Sequence, residues 1–361
     1  MKRILFILSS LDAGGAETFL MKAYRALPPD EYQFDFIVSA DKGCYAQEVL
    51  DRGGRIYVIP ERRTDLLGAM AGIRRIVRER GYDAVLKLAD HSLAALDLMA
   101  AKRGGARCLA LRSCNAPTGL SLRVRTIHGL LRPVANRVAT VKLAPSRLAA
   151  EFMFGKAKDV RILHNGVDLS YFRYHPEGRM SVREEFDLGD RLVVGHIGRF
   201  HPQKNHGYLL EVFAELRRSR QDAVLLLVGT GVLEGEIRER IRRLGLEDHV
   251  ILAGQRFDIP EVLSAMDVFL FPSLHEGMPN TVIEAQATGL PCVIADTITR
   301  EADLTGLVRY ISLDDSPAFW TEQVLSVLSK ERVDTAPMLA ERGYDIHNVA
   351  WELVALLTAT E

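Results

Sequence analysis

Several features that mark particular protein classes are absent from this 361-residue chain. Its four cysteines are scattered and form no Cys-x-x-Cys pair; they are Cys44, Cys108, Cys114 and Cys292. This usage argues against a disulfide framework or a structural zinc site and favours a reducing, cytoplasmic location. No run of 18 apolar residues occurs, so we expect no helix that spans a bilayer. Without repeats or low-complexity tracts, the length predicts about two globular domains.

One region also lacks acidic residues altogether. Positions 98–150 hold ten basic residues and no Asp or Glu. This bias belongs to a wider split, because residues 1–170 carry a net charge of +10 and the remainder carries −11. A solvated surface is the ordinary explanation of a charge run, but 53 residues without one carboxylate exceed what solubility requires.

Short β-rich runs alternate with amphipathic helical segments in two series. The first series contains the strand candidates Arg3–Ser9, Phe34–Ser39, Arg55–Ile59, Ala84–Leu88, Arg107–Leu111 and Val138–Ala144. The second contains Leu192–Ile197, Ala223–Val228, His249–Ala253, Val268–Phe271, Pro291–Ala295 and Leu307–Ile311. Near-continuous apolar strands separated by helices predict an α/β protein with parallel sheets covered on both faces.

The two series predict two doubly wound domains in tandem. We place an N-terminal domain at 1–170, a polar linker at 171–190, a second domain at 191–345 and a C-terminal helix at 346–361. Ligands bind such sheets at the carboxyl ends of the strands, where loop amides and helix N-termini converge. The expected site is therefore a cleft onto which both sheets open.

The densest chemical signal is PSLHEGMPNTVIEAQATGLPCVIAD, residues 272–296. Glu276 lies in a loop after a predicted strand, and Glu284 follows eight residues later in a predicted helix. A carboxylate on that helix can accept two hydrogen bonds from the cis-diol of a ribose. The Glu276 carboxylate and the amides of Gly277 and Met278 can face the hydroxyls of a sugar. Two acids alone would more often be exposed surface glutamates.

Residues 276–285, EGMPNTVIEA, resemble the Glu-x7-Glu motif of retaining glycosyltransferase family 4 position by position. The resemblance covers essentially the whole chain and implies the GT-B fold, two Rossmann-like doubly wound domains facing a central cleft. It also implies that the last helix packs back on the N-terminal domain. By this resemblance Glu284 holds the nucleotide ribose, Glu276 contacts the donor sugar, and Pro279 and Asn280 border the donor.

A second motif, GHIGRFHPQKNH, follows the first strand of the second series at residues 195–206. Arg199 and Lys204 lie five residues apart on a loop that contains Gly198 and Pro202. Two cations there can clamp a diphosphate and neutralise the charge that grows as it departs. A basic surface loop is the alternative. The family has a matching Gly-Arg-x4-Lys motif, which implies that this Arg and Lys bind the donor diphosphate.

The first strand is followed by SSLDAGGAET, which contains Gly14, Gly15 and Glu17. Paired glycines before a helix that starts near Ala16 allow close backbone approach, and a helix N-terminus favours an anion. A Gly-Gly loop alone is more often a tight turn. The resemblance implies that this loop meets the donor phosphates from the N-terminal domain.

Three further motifs of the first half match the family to different degrees. His91, in LADHSLAA, is a packing residue by default, but the family brings a His from this region to the donor sugar. The sequence RSCNA at 112–116 has Arg112 and Cys114 where polysaccharide-assembling members have histidines. The sequence HNGVD at 164–168 matches the family's turn at the end of the first domain. We predict His91, Arg199, Lys204 and Glu276 as the catalytic set.

The sequence also bears on the mechanism, since it contains no Asp-x-Asp triplet. Transferases of the other common architecture use that pair to hold a divalent cation. Arg199, Lys204 and helix-end amides can supply the positive charge instead, so we expect no cofactor and no catalytic metal. The family retains anomeric configuration. Without a second carboxylate placed as a nucleophile, front-side attack is favoured.

Two other classes of function remain as alternatives. LLLVGTGVLEG at 225–235 imitates a dinucleotide fingerprint, but its third glycine, Gly235, comes one position late. A nicotinamide dehydrogenase would need a carboxylate after the next strand, which ends in Ala-Gly-Gln. A non-catalytic binding protein on the same fold would be expected to lose Lys204, Glu276 or Glu284, and all three are present.

The resemblance implies a nucleotide-sugar donor, with uridine favoured, and a glycan or lipid-linked acceptor of cell-surface polysaccharide synthesis. A soluble small acceptor is the alternative, and no nucleic-acid partner is expected. Segment 120–134 has apolar residues at helical spacing, with arginines nearby: Leu120, Val124, Ile127, Leu131 and Val134, with Arg123, Arg125 and Arg132. It is either a core-packed helix or a basic face that rests on the anionic inner surface of the plasma membrane.

Overall fold

The computed structural model describes residues 1–12, 14–40, 43–114, 121–329 and 331–359. The chain divides into two compact units. The first consists of residues 1–166 together with 343–361, and the second of residues 167–342.

In the first unit, seven strands of the described residues form one parallel sheet in the order β3-β2-β1-β4-β5-β6-β7. They are β1 (Lys2–Ile7), β2 (Tyr32–Val38), β3 (Ile56–Val58), β4 (Ala84–Ala89), β5 (Cys108–Ser113), β6 (Val141–Ala144) and β7 (Val160–Ile162). The helices are α1 (Gly15–Arg25), α2 (Ala46–Asp51), α3 (Leu66–Arg80), α4 (Ala94–Arg103), α5 (Leu122–Val138) and α6 (Arg147–Phe154).

In the second unit, six strands of the described residues form a parallel sheet in the order β10-β9-β8-β11-β12-β13. They are β8 (Val193–Ile197), β9 (Val224–Val228), β10 (Val250–Gly254), β11 (Val268–Phe271), β12 (Cys292–Ala295) and β13 (Val308–Ile311). The helices are α7 (Pro176–Glu185), α8 (His206–Ser219), α9 (Glu234–Arg243), α10 (Ile259–Ala265), α11 (Asn280–Ala287), α12 (Pro317–Ser326) and α13 (Ala336–Glu341).

The last helix, α14 (Ile346–Thr358), belongs to the first unit and packs against α1. Its buried residues share a core with one face of the first sheet, and α3, α4 and α6 bury residues on the other face. Gly166 permits this packing, because a Cβ there would lie 2.6 Å from the Ile346 Cα. Central strands are therefore covered on both sides, which explains why their sequences are continuously apolar.

The strand predictions from apolar runs are confirmed, with one omission. Each of the twelve candidates overlaps a strand, but β7 was not predicted, because its central residue, Arg161, is exposed and polar and the strand shows no apolar run. Val138 was assigned to a strand and instead ends α5. α3 shows how sequence sets the limits of a helix: the Asp65 carboxylate caps it by accepting from the Gly68 amide, and Gly81 ends it at a positive φ.

The stretch predicted as a linker, 171–190, is part of the second unit. It contains α7, which packs against α10. Arg179 donates to the Ser264 carbonyl at 2.9 Å and pairs with Asp267 at 2.8 Å, and Arg183 donates to the Ala265 carbonyl at 2.7 Å. The polar composition of this stretch favoured a connector. Its residues Arg179 and Arg183 instead donate to carbonyls at the carboxyl end of α10.

Candidate functional site

The loop after β8 lies directly on the loop after β9. The Gly198 amide donates to the Val228 carbonyl at 3.0 Å, and the Phe200 amide donates to the Thr230 carbonyl at 2.9 Å. Gly229 has φ of +135°, and a Cβ there would lie 2.1 Å from the Gly198 carbonyl oxygen. The Gly-Thr-Gly sequence that imitates a dinucleotide fingerprint therefore serves the contact between two backbones.

Lys204 ends a short 3-10 helix, Pro202–Lys204, on the loop after β8. Its Nζ lies 2.7 Å from the Glu276 Oε1, and both side chains are largely buried, at 17% and 12% exposure. The ammonium also lies 4.6 Å from the centroid of the Phe271 ring. The structure thus brings together two predicted catalytic residues from motifs 72 positions apart, in a setting where solvent screens their charges only weakly.

Further hydrogen bonds join the loops that carry Lys204 and Glu276. The Leu274 amide donates to the Gln203 carbonyl at 2.8 Å, and the Gln203 Nε2 donates to the His275 carbonyl at 2.8 Å. The Thr297 hydroxyl donates to the Ser273 carbonyl at 3.1 Å. These contacts anchor the three residues directly before Glu276 and so help to position its carboxylate.

α11 begins at Asn280 after Pro279 and carries Glu284, which was predicted to lie in a helix. Glu284 is only 8% exposed and lies among buried apolar residues of the same helix. Neither Glu276 nor Glu284 is the exposed surface glutamate of the alternative interpretation. Gly277 and Met278 lie between them in the loop and are partly buried.

Arg199 differs from Lys204, since its side chain is exposed and has no ion-pair partner among the described residues. It follows Gly198 at the carboxyl edge of the second sheet. The loop after β8 thus carries two positive groups, the exposed Arg199 guanidinium and the largely buried Lys204 ammonium, and the guanidinium is accessible to an anion.

The predicted residues of the first unit lie at the carboxyl ends of β1 and β4. Gly14 caps α1, whose first residue is Gly15, one position earlier than predicted. The Glu17 carboxylate folds back over Gly14, where a Cβ would lie 2.2 Å from its Oε2. Burial raises the pKa of Glu17, and the nearby Asp90 carboxylate adds to the shift. His91 follows β4, and its Nδ1 is buried without a hydrogen-bond partner among the described residues.

Arg112 has a contact that the sequence analysis did not anticipate. It is 1% exposed, its guanidinium lies 3.8 Å from the Phe19 ring centroid, and it donates to the Asn165 Oδ1 at 2.7 Å and the Leu163 carbonyl at 3.1 Å. Burial lowers its pKa to about 10. Arg112 therefore joins RSCNA to HNGVD as a buried structural cation. Residues 115–116 of that motif lie outside the described residues.

Within the described ranges, no three His, Cys, Asp or Glu side chains are grouped so that they could hold a metal ion. In the same part of the chain, none of the helices has both the length and the apolar character needed to cross a membrane.

Comparison with known proteins places both units. Residues 13–171 match the family model "Glycosyltransferase Family 4", and residues 191–330 match "Glycosyl transferases group 1". EpsF of Bacillus subtilis (strain 168), named as a glycosyltransferase, is 35% identical over 360 residues, covering 95% of this chain and 93% of the relative. The chain belongs to glycosyltransferase family 4. The protein is therefore a transferase enzyme, and the nicotinamide dehydrogenase alternative is wrong.

Solved structures show the same GT-B fold for this glycosyltransferase. HepE of Anabaena, in complex with UDP, superposes with a TM-score of 0.81 at 21% identity and 100% coverage of both chains. WaaG, a glycosyltransferase of lipopolysaccharide biosynthesis, gives a TM-score of 0.72 at 16% identity, covering 99% of this chain and 100% of WaaG. The predicted pair of Rossmann-like domains is confirmed.

Proposed function

We propose that this glycosyltransferase moves a sugar, with retention of configuration, from a uridine-diphosphate sugar to a hydroxyl of a glycan or lipid-linked glycan in cell-surface polysaccharide synthesis. The observation that carries the proposal is the buried Lys204–Glu276 pair, 2.7 Å apart, followed by the buried Glu284 on α11. A 25% identical relative from Escherichia coli, matching 78% of this chain, is named as a galactosyltransferase that uses UDP-Gal and a diphosphoundecaprenol acceptor. HepE binds UDP and UDP-glucose in its crystals.

The family resemblance implies a role for each candidate side chain of the second unit. Lys204 and Arg199 bind the donor diphosphate as cations at the end of β8. Glu276, with the amides of Gly277 and Met278, contacts the sugar, and Glu284 accepts hydrogen bonds from the ribose diol. In the first unit, family resemblance assigns His91 to the donor sugar and the Gly14-Gly15 turn to the phosphates.

The Lys204–Glu276 pair balances two charges that are largely buried. Without a donor, each group neutralises the other, because a lone buried charge is costly. A bound diphosphate offers Lys204 a doubly charged partner, which releases the Glu276 carboxylate to accept hydrogen bonds from sugar hydroxyls. The same lysine then stabilises the charge that develops on the departing phosphate oxygen.

We propose front-side displacement for the chemical step. The acceptor oxygen forms its bond to the anomeric carbon on the face from which the bond to the β-phosphate oxygen breaks. The bonding electrons leave with that oxygen, which takes the proton of the acceptor hydroxyl. The products are UDP and a glycoside with the anomeric configuration of the donor.

We expect turnover without any divalent cation, since Lys204 and Arg199 supply the positive charge at the diphosphate. Activity measured after dialysis against EDTA is expected to equal that of the untreated enzyme. A matched sample receives EDTA and then excess magnesium or manganese. Activity abolished by the chelator and restored by either metal would show that the metal-free proposal is wrong.

We also propose peripheral contact with an anionic membrane through residues 98–150. The candidate contact surface is the exposed side of α5 and not the apolar series identified in the sequence. Val134 packs against the core of the first unit, and Val124, Ile127 and Leu131 are partly buried, which supports the core-packed interpretation for this side of α5. Leu120 lies outside the described residues. The opposite side of α5 exposes Leu122 and Leu130 at 80% and 72%, flanked by the exposed Arg123 and Arg125.

Two exposed leucines among arginines on one helix face suit an anionic bilayer, which takes up the leucines and attracts the cations. Each basic residue near such a surface contributes about 1 kcal/mol, so several together support reversible docking. Sedimentation with vesicles containing anionic lipid is expected to pellet the wild type at low salt and much less at high salt.

The same assay shows whether vesicle binding depends on this face of α5 or on exposed positive charge elsewhere on the protein. The variant R123E/R125E/R132E is expected to stay in the supernatant, and L122S/L130S is expected to bind more weakly. The control R242E/R243E changes two exposed arginines of α9 and is expected to pellet like the wild type. If the α5 variants pellet equally well, or the wild type does not pellet, membrane contact is wrong and a soluble acceptor becomes the better proposal.

A further inference from the structure

Two buried histidines lie beside the Lys204 side chain and have no role in the function proposed above. His196 is fully buried on β8, and His206, the first residue of α8, is 2% exposed. Their ring centroids are 5.0 Å apart, with the rings nearly perpendicular at 78°. Polar rings in an apolar interior are costly, which calls for a reason why histidine occupies these positions.

The orientation of His196 is fixed on three sides. Its Nδ1 lies 2.9 Å from the Leu270 carbonyl oxygen of β11. Because a carbonyl only accepts, Nδ1 carries the proton and Nε2 carries a lone pair. The ring also stacks on Phe271 at 5.4 Å and on Phe269 at 6.1 Å. Nε2 is buried and has no hydrogen-bond partner among the described residues.

This unused acceptor borders the Lys204 side chain. A Cβ on Gly198 would lie 3.2 Å from the His196 Nε2 and also 3.2 Å from the Lys204 Cε. The acceptor and the lysine therefore lie on the same side of the Gly198 backbone. Phe271 contacts both, since it stacks on His196 while the Lys204 ammonium lies over its ring.

Both histidines are held in their neutral form. Burial lowers the pKa of His196 well below its usual value, and His206 and Lys204 lower it further. Burial and the Lys204 charge lower the pKa of His206 to about 4. At neutral pH neither ring repels the ammonium, and the lone pair on the His196 Nε2 stays available to an N–H donor.

We propose that His196 is a positioning residue for Lys204, whose ammonium takes the Nε2 lone pair as an acceptor when a bound diphosphate displaces it from Glu276. Lys204 then has the diphosphate on one side and His196 and the Phe271 ring on the other. His206 closes the space behind His196 against water. The inference rests on the role of Lys204 in the proposed function.

The experiment measures UDP binding by calorimetry for two variants, each of which keeps a hydrogen-bonding group near one of the two imidazole nitrogens. His196→Asn keeps a donor near Nδ1 for the Leu270 carbonyl but has nothing at the Nε2 position. His196→Gln places its amide oxygen near the Nε2 position. We expect the Asn variant to bind UDP about tenfold more weakly, because it loses a hydrogen bond to a charged group, and the Gln variant to bind within about twofold of the wild type.

A double-mutant cycle shows whether the effect passes through Lys204. In a Lys204→Met background, His196→Asn is expected to cause no further loss of UDP affinity. The same tenfold loss in that background, or equal losses in the Asn and Gln variants, would overturn the inference. If His196→Asn lacks a cooperative thermal transition, His196→Phe, which keeps the stacked ring, replaces it in the cycle.

The control separates this inference from the function beneath it. If Lys204→Met binds UDP like the wild type, the proposed role of Lys204 is wrong, and the His196 inference falls with it. If Lys204→Met binds weakly but His196→Asn binds normally, only the positioning role of His196 is wrong.

Discussion

Replacing Lys204 by alanine is expected to lower turnover about 10²-fold or more, measured as UDP released from the donor under saturating conditions. In the proposed function the ammonium acts where charge develops on the departing diphosphate, and a preorganised group at that place contributes more to the transition state than to binding. Lys204→Met is the closer variant, because it keeps an unbranched side chain over Gly198 and Phe271 while removing the charge.

Loss of Lys204 is also expected to lower the stability of the fold, and a second variant separates this effect from the loss of turnover. Taking away Lys204 leaves the Glu276 carboxylate buried without the partner it has at 2.7 Å, and an uncompensated charge destabilises the fold. Lys204→Met combined with Glu276→Gln removes both charges and is expected to regain thermal stability but not turnover. Turnover that returns in the double variant would show that Lys204 acts only by neutralising Glu276.

Replacing Glu284 by alanine is expected to weaken UDP binding by about 1.5–3 kcal/mol, which is roughly a 10- to 150-fold rise in Kd. In the proposed function the Glu284 carboxylate, on a residue that is 8% exposed, accepts two hydrogen bonds from the ribose diol. Glu284→Gln, which has the same shape without the charge, is expected to lie between alanine and the wild type.

Calorimetry with UDP measures the effect, and Glu215→Ala on α8 is the matched control because it removes a carboxylate from a surface ion pair. A second titration with uridine, which keeps the ribose and lacks the phosphates, is expected to show the same loss for Glu284→Ala. A folded Glu284→Ala variant with unchanged affinity for UDP would refute the ribose assignment.

The sheets could be predicted from sequence because their signal is local. A strand covered by helices on both faces must be apolar along its whole length, as Val268–Phe271 is, so the pattern is visible without tertiary information. The edge strand Val160–Ile162 has an exposed Arg161 at its centre, and the same rule does not apply to it.

Motif spacing and family resemblance predicted Glu276, Lys204 and Glu284 as site residues. They did not predict the pairing or the neighbouring side chains of these residues. The pairing of Lys204 with Glu276 joins two motifs across neighbouring strands, and nothing in the spacing within either motif reports that distance. His196 and His206 lie inside the second motif, at positions that apolar patterning treats as strand and helix. Their significance depends on the burial of ring nitrogens, which only the structure reveals.

The segment 120–134 shows a different limit. Its apolar spacing correctly predicts one helix face, but periodicity cannot say whether that face packs on the protein or on a membrane. Exposure of Leu122 and Leu130 identifies the outer face, and these leucines fall outside the apolar series. The segment 171–190 was predicted as a linker because it is polar. Its arginines instead bond helix-end carbonyls of the second unit, to which the segment belongs.

Proton NMR of donor hydrolysis tests most directly the proposal that this glycosyltransferase performs retaining transfer from a uridine-diphosphate sugar. The enzyme is incubated without acceptor or metal with UDP-glucose, UDP-galactose and UDP-N-acetylglucosamine, so that water replaces the acceptor hydroxyl. We expect one donor to yield UDP and a free sugar that appears first as the α anomer, and we expect Lys204→Met to abolish this reaction. A sugar that appears first as the β anomer, or the absence of both binding and hydrolysis for every uridine donor, would contradict retaining transfer from a uridine-diphosphate sugar.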